Sequence, residues 1–288
     1  MFINGNKLLS LQPVKKAIYI FAIILISVTA SAKKKESLSK ILKIPDLEIK
    51  YKYALDFYNS GDYKKAITLF EDIQSGYRGT ETAQDILYYL SMSYVKRKDY
   101  ESAEHYITNY LNTYVRGQYV EECNFMLAYC YYKDSPHYEL DQTSTVKAIE
   151  QLNHCIALYP NHEKYNDAVK MRTEMLDKLA KRELANATLY YNLGNYRGNN
   201  YRAAIVVSQN AMNDYPECNY IEQFALIIVR SKYKEAINSN TKKIYIRSED
   251  AWDECYYFLN EFPQTKHRKE VEKMAAHLDR INKSKLKL

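Results

Sequence analysis

Apolar residues recur along most of this chain at the three- and four-residue spacing of an amphipathic helix, and one such pattern returns five times. The copies are "YKKAITLFEDIQSGYR", "YESAEHYITNYLNTYV", "TVKAIEQLNHCIALYP", "YRAAIVVSQNAMNDYP" and "EDAWDECYYFLNEFP". Each carries an alanine (Ala66, Ala103, Ala148, Ala204, Ala251) with an aromatic residue eleven positions on: Tyr77, Tyr114, Tyr159, Tyr215 and Phe262. Positions four and seven past the alanine are mostly apolar (Phe70 and Ile73, Ile107 and Tyr110, Leu152 and Cys155, Cys255 and Phe258), with Ser208 and Ala211 the weakest pair. That spacing predicts one buried stripe per helix. Pro160, Pro216 and Pro263 then stop the last three helices, because proline disfavours helical geometry in the residue before it.

Partner helices precede these segments. "YKYALDFYNSGDY" and "LYYLSMSYVKRKDY" lead into the first two copies through Gly-Asp-Tyr and Lys-Asp-Tyr turns, and "FMLAYCYYKDS" aligns with them. Helix, short turn, helix and proline together resemble the tetratricopeptide repeat, whose Gly, Tyr, Ala and Pro positions are met by Gly61, Tyr63, Ala66 and, in later copies, Pro160. The expected fold is all-α: a superhelical solenoid of five tetratricopeptide-type helix pairs with a C-terminal capping helix. The intervals between the alanines are 37, 45, 56 and 47 residues, longer than the roughly 34 of a minimal repeat. The second interval holds "DSPHYELDQT", read as an insertion at the tip of the third pair, with Thr143, Ser144 or Thr145 as N-cap of the next helix. The third holds a long stretch without Gly or Pro whose Ala168, Met171, Met175 and Leu179 mark one continuous helix. Beyond Pro263, Thr265 is placed to cap a last helix with Val271, Met274, Ala275, Leu278 and Ile281 facing the stack.

The N-terminus reads differently. Lys7, Lys15 and Lys16, an apolar run from Ala17 to Val28 and the small residues Thr29 to Ala32 follow the order of a secretory signal, with cleavage expected after Ala32. The expected organisation is a signal sequence at 1–32, an N-terminal segment at 33–45, repeats one to three at 46–160, and the long connecting helix, repeats four and five and the cap at 161–288. Without the signal, 38 basic residues face 35 acidic ones, mixed along nearly every segment, so no concentrated basic face points to nucleic acid. The five cysteines, Cys123, Cys130, Cys155, Cys218 and Cys255, show neither C-x-x-C nor zinc-ligand spacing. Cys155 and Cys255 instead occupy small core positions of the repeat. No phosphate loop, nucleophile elbow or zinc-protease motif occurs, and His154 beside Cys155 is not a nucleophile pair because Cys155 lies on the buried stripe. No enzymatic activity, cofactor or metal is expected.

Solenoids of this kind bind on the face lined by the first helix of each pair. Transferring the repeat's inward positions gives Tyr51, Leu55 and Tyr58 for the first pair, Tyr88, Met92, Val95 and Lys96 for the second, and Phe125, Tyr129, Tyr132 and Lys133 for the third. An aromatic strip ending in lysines suits an extended or C-terminal peptide. The alternative for any one ring is packing between neighbouring repeats.

The run Ser135 to Thr143 feeding into Lys147-Ala148-Ile149-Glu150, together with "YALDFYNSGDYKKAITLFEDI", resembles the BamD family of outer membrane protein assembly factors over nearly all of the mature chain. The resemblance implies a non-enzymatic role at the periplasmic face of the bacterial outer membrane. It implies partnership with a BamA-like protein through POTRA domains and recognition of C-terminal signals of unfolded barrel proteins. The insertion (Asp134, Ser135, Pro136, His137, Tyr138, Leu140, Asp141, Gln142 and Thr143) is then the candidate partner-docking surface. One departure stands out: the family is normally anchored by a lipidated cysteine after the signal, and here no cysteine precedes Cys123. Membrane association through the complex, a retained apolar N-terminus, or a different start are the alternatives. The competing function is a general periplasmic tetratricopeptide scaffold for envelope or cell-division complexes.

Overall fold

A computed structural model describes residues 37–285, and the signal expected at 1–32 lies outside them. The described residues form twelve α-helices and one 3-10 turn, with no strand among them. The chain divides into two compact units, Met1–Arg78 and Gly79–Leu288.

In the first unit, α1 (Leu38–Ile41) precedes α2 (Leu47–Asn59) and α3 (Tyr63–Ile73), and a 3-10 turn spans Gln74–Tyr77. The Asp46 side chain caps α2 by accepting from the N–H groups of Glu48 and Ile49. At its other end Gly61 takes a φ of 79°, Asp62 N–H donates to Phe57 and Gly61 N–H to Tyr58, which is the Schellman closure of a helix. The second unit repeats this turn with Lys98 at a φ of 63°, where Asp99 N–H donates to Tyr94 and Lys98 N–H to Val95. A lysine in a conformation that favours glycine carries a steric cost there.

The second unit is a run of pairs: α4 (Thr82–Lys96) with α5 (Tyr100–Thr113), α6 (Val120–Asp134) with α7 (Thr143–Leu158), α8 (Tyr165–Leu193) with α9 (Asn200–Asp214), and α10 (Ile221–Ile237) with α11 (Ile244–Glu261). The last helix, α12 (Arg268–Lys285), covers the end through Val271 and Leu278, both fully buried, and the half-buried Met274 and Ala275. Each helix packs on the next in sequence, and second-neighbour packing runs α4, α6, α8, α10, α12. Within this unit the first helix of every pair therefore lies on the inner side of the stack.

The stripes predicted for the second helices are buried throughout. Ala66, Phe70 and Ile73; Ala103, Ile107 and Tyr110; Ala148, Leu152 and Cys155; Ala204, Ser208 and Ala211; and Ala251, Cys255 and Phe258 are all sealed from solvent. Ala148 lies in one buried cluster with Phe125 and Ala128 of α6 and Ala168 and Met175 of α8, and Ala251 in another with Ala225 and Val229 of α10 and Val271 of α12. Burying each Leu, Ile or Phe here contributes about 1.5–3 kcal/mol. Tyr114, Tyr159, Tyr215 and Phe262 end their helices in one shared conformation, φ near −120° with positive ψ, and each backbone N–H donates to the carbonyl four residues back. Proline follows three of them, but Val115 follows Tyr114, so the aromatic residue holds this exit without proline.

The 29 residues of α8 form one helix, as the uninterrupted stretch predicts. Its first half buries Ala168 and Met175 against α6 and α7, and its second half buries Ala180 and Ala187 against α9 and α10. The buried face rotates between Met175 and Ala180, because five residues carry a helix well past a full turn. Four thiols, Cys123, Cys130, Cys155 and Cys255, are buried and pushed up to about 12 by desolvation, and Cys218 is half-buried. Among the described residues no helix is long and apolar enough to cross a membrane.

The Arg230 guanidinium of α10 grips Glu270 of α12 at 2.7 and 2.8 Å, with His267 at 3.4 Å from the same carboxylate. That guanidinium holds the Glu270 carboxyl below its ordinary range. A depressed carboxylate contributes stability above its unfolded pKa and loses it as pH falls through the folded value. Discounted for partial exposure, Glu270→Gln is expected to cost about 1 kcal/mol at neutral pH, with the gap from the parent closing below about pH 4. Urea unfolding across pH checks both.

Candidate functional site

In the first unit the expected strip residues lie on α2 and are half-buried. Tyr51 meets the rings of Phe70 and Tyr77 at 6.5 and 6.0 Å, and Tyr58 stands edge-on to Tyr63 at 5.7 Å. Leu55 lies between them along the helix, partly covered.

In the second unit the expected positions part company. Met92 is 4% exposed, Val95 9% and Phe125 1%, so these three are core and do not line an open surface. The reason is the second-neighbour packing: a first helix touches inner helices as well as its own partners, so more of its circumference is covered. Tyr88 is also a packing ring, stacked on Tyr119 with centroids 3.8 Å apart and planes 10° from parallel. Burial, with a hydrogen bond to Asp85 second, raises the Tyr119 phenol well above its usual range. Lys96 is exposed at the end of α4.

What remains gathers at the C-terminal end of α6. The Lys133 ammonium lies 5.3 Å from the Tyr129 ring centroid and 5.0 Å from that of Tyr132, and Tyr100 meets Tyr129 edge-on at 6.3 Å. The Tyr132 hydroxyl donates to Glu174 of α8 at 2.6 Å, and that bond, with burial second, pushes the phenol up to about 12. The cluster offers two partly exposed ring faces and a cation held over them.

The insertion follows directly, and much of it points inward. Gln142 is 3% exposed; its amide donates to the carbonyls of His137 and Leu140 at 2.8 and 3.0 Å, and its carbonyl accepts from Thr145 at 2.8 Å. Ser135 closes the ring through Thr145 at 2.6 Å. The expected N-cap is corrected: α7 begins at Thr143, and Asp141 accepts from the Thr143 N–H at 3.0 Å. Asp134 accepts from the Ser144 hydroxyl at 2.6 Å, and Pro136 is half-buried. His137, Leu140, Asp141 and Thr143 face solvent.

Sequence reasoning missed the support that α8 gives from beneath. Glu174 holds Tyr132, Lys178 donates to the Ser135 hydroxyl at 2.6 Å and carbonyl at 3.2 Å, and the Lys181 ammonium sits 4.5 Å over the Tyr138 ring. Desolvation lowers the Lys178 ammonium from its ordinary value. The signal was present as a polar i, i+4, i+7 row on α8. Beside the tip opens a cleft of about 450 Å³ lined by Asp141, Thr143, Val146, Arg182, Glu183 and Tyr215, among others. Among the described residues, no group of three His, Cys, Asp or Glu converges as a metal site.

Residues 46–244 match the model of the YfiO family, described as outer membrane lipoprotein. The outer membrane protein assembly factor BamD of Caulobacter vibrioides is 21% identical over 169 residues, which is 58% of this chain and 55% of that protein. The chain thus spans about half the length of the curated relative it matches.

Replacing Gln142 by Ala is expected to remove the amide that bridges the His137 and Leu140 carbonyls, to leave Thr145 bonded to Ser135 alone, and to cost about 1–3 kcal/mol locally. Amide exchange and protease cleavage between Ser135 and Asp141 should quicken while helicity holds. Unchanged protection would show that the loop does not depend on this side chain.

Proposed function

The chain belongs to the outer membrane lipoprotein family that its residues 46–244 match, and from that premise we propose that it is a non-enzymatic outer membrane protein assembly factor. In this reading it binds the C-terminal signals of unfolded barrel proteins and docks a BamA-like, POTRA-bearing partner at the periplasmic face of the outer membrane. Membrane association comes through that complex or through an N-terminal anchor.

The observation that supports it best is the Tyr129, Tyr132 and Lys133 cluster on an inner helix. Ring faces accept an aromatic side chain, and an ammonium beside them accepts a terminal carboxylate, so the two together fit a chain that ends in an aromatic residue. The outward residues of the tip, His137, Leu140 and Asp141, are the part of the insertion available to an assembly partner. The Gln142 amide fixes the His137 and Leu140 carbonyls, which lowers the ordering cost of docking.

Depletion is expected to lower the folded barrel proteins of the outer membrane, and the chain should co-purify with a POTRA-bearing protein. Tyr129→Ala with Lys133→Ala should weaken binding of a barrel C-terminal peptide by about tenfold or more, a loss of at least about 1.4 kcal/mol. Circular dichroism should be unchanged, because neither residue is buried. Unaltered barrel levels and peptide affinity would instead favour the general periplasmic scaffold.

A further inference from the structure

The second helix of the last pair differs from its counterparts on its outer side. Its inner stripe, Ala251, Cys255 and Phe258, is sealed, yet its outer face exposes Ile246 (69%), Trp252 (37%), Tyr256 (60%) and Tyr257 (62%). None of α5, α7 and α9 exposes a Tyr, Trp or Phe ring to that degree. Trp252 and Tyr256 lie one turn apart with their rings 9° from parallel and 5.9 Å between centroids. Large aromatic rings left in water on one face, in contact with each other, have the composition of an interface core.

Charge narrows the occupant. The chain as a whole is basic, with a formal charge of +6, but residues 248–261 hold five acidic side chains and no Lys or Arg. Lys232 of α10 engages two of them, Asp250 at 2.9 Å and Glu254 at 2.7 Å. The one cation nearby on α11, Arg247, is turned to Glu235 at 2.9 Å. Asp253 and Glu261 face outward beside the rings. Glu261 stands in the last turn, where the helix dipole disfavours a carboxylate and the turn itself holds no basic residue.

We propose that the outer face of α11 docks a basic, arginine-bearing protein segment, with guanidinium groups laid on the Trp252, Tyr256 and Tyr257 rings and paired with Asp253 and Glu261. Arginine fits better than lysine because its planar, weakly hydrated cation stacks on rings and bonds carboxylates at once. A second copy of this face is disfavoured because self-pairing would oppose like carboxylates, and an anionic membrane is disfavoured for the same reason. The surface begins where the family match ends, at residue 244, and does not depend on the assembly-factor reading.

Trp252 is the only tryptophan of the chain, so its emission reports on this face alone. Titrating the full chain with octa-arginine should give a saturable change in that emission, weakened by salt and about fivefold or more tighter than with octa-lysine. Asp253→Lys with Glu261→Lys should weaken the affinity by about tenfold or more, and Tyr257→Ser should weaken it independently, both with native helicity. Three results would overturn the proposal: no saturable change, equal affinity in the variants, or an emission change produced instead by self-association or by phosphatidylcholine vesicles.

Discussion

The stack depends on one tight junction repeated along it: a second helix enters the angle between two first helices, and the side chain at the crossing is a methyl group. Ala148 is clustered with buried residues of α6 and α8, Ala204 with those of α8 and α10, and Ala251 with those of α10 and α12. A small residue lets the three backbones approach, and the residues four and seven positions on then fill the space above. Each junction joins one pair to the next, so stability is built by nearest-neighbour contacts. The four buried thiols fill volume as small apolar groups.

The same packing decides which surfaces are open for use. Inner helices touch one another as well as their own partners, so α10 buries a nearly continuous run from Phe224 to Val229 and leaves little for a ligand. Open chemistry is displaced to helix ends, tips and outer faces. The cluster at the end of α6 and the tip after it share one support, the polar row of α8, where Glu174, Lys178 and Lys181 reach residues of both. An unusually long α8 thus serves two halves of the core with its apolar faces while its polar side carries the candidate site.

How much could be read from the sequence follows from how many neighbours a helix has. The second helices sit between two partners and bury one stripe, so every position marked by the rule of alanine, plus four and plus seven is sealed, Ser208 included, while Leu69, Thr145 and Ser248 are sealed outside it. The long helix and the terminal helix were legible for the same reason. First helices have more neighbours, and no single period marks their faces; Met92, Val95 and Phe125 read as groove residues and are core. Gln142 was read as part of a docking surface although its amide satisfies the loop from inside. Polar residues are assumed outward unless a buried partner is visible, and its partners are backbone carbonyls that a sequence does not display.

The most direct measurement of the central claim is the unfolding free energy of Ala148→Leu, Ala204→Leu and Ala251→Leu beside Ala157→Leu, an exposed alanine on α7. If the junctions admit only a methyl group, each anchor substitution loses about 1–3 kcal/mol to overpacking, and Ala157→Leu stays within about 0.5 kcal/mol of the parent. Anchors that accept leucine as readily as Ala157 does would contradict the account.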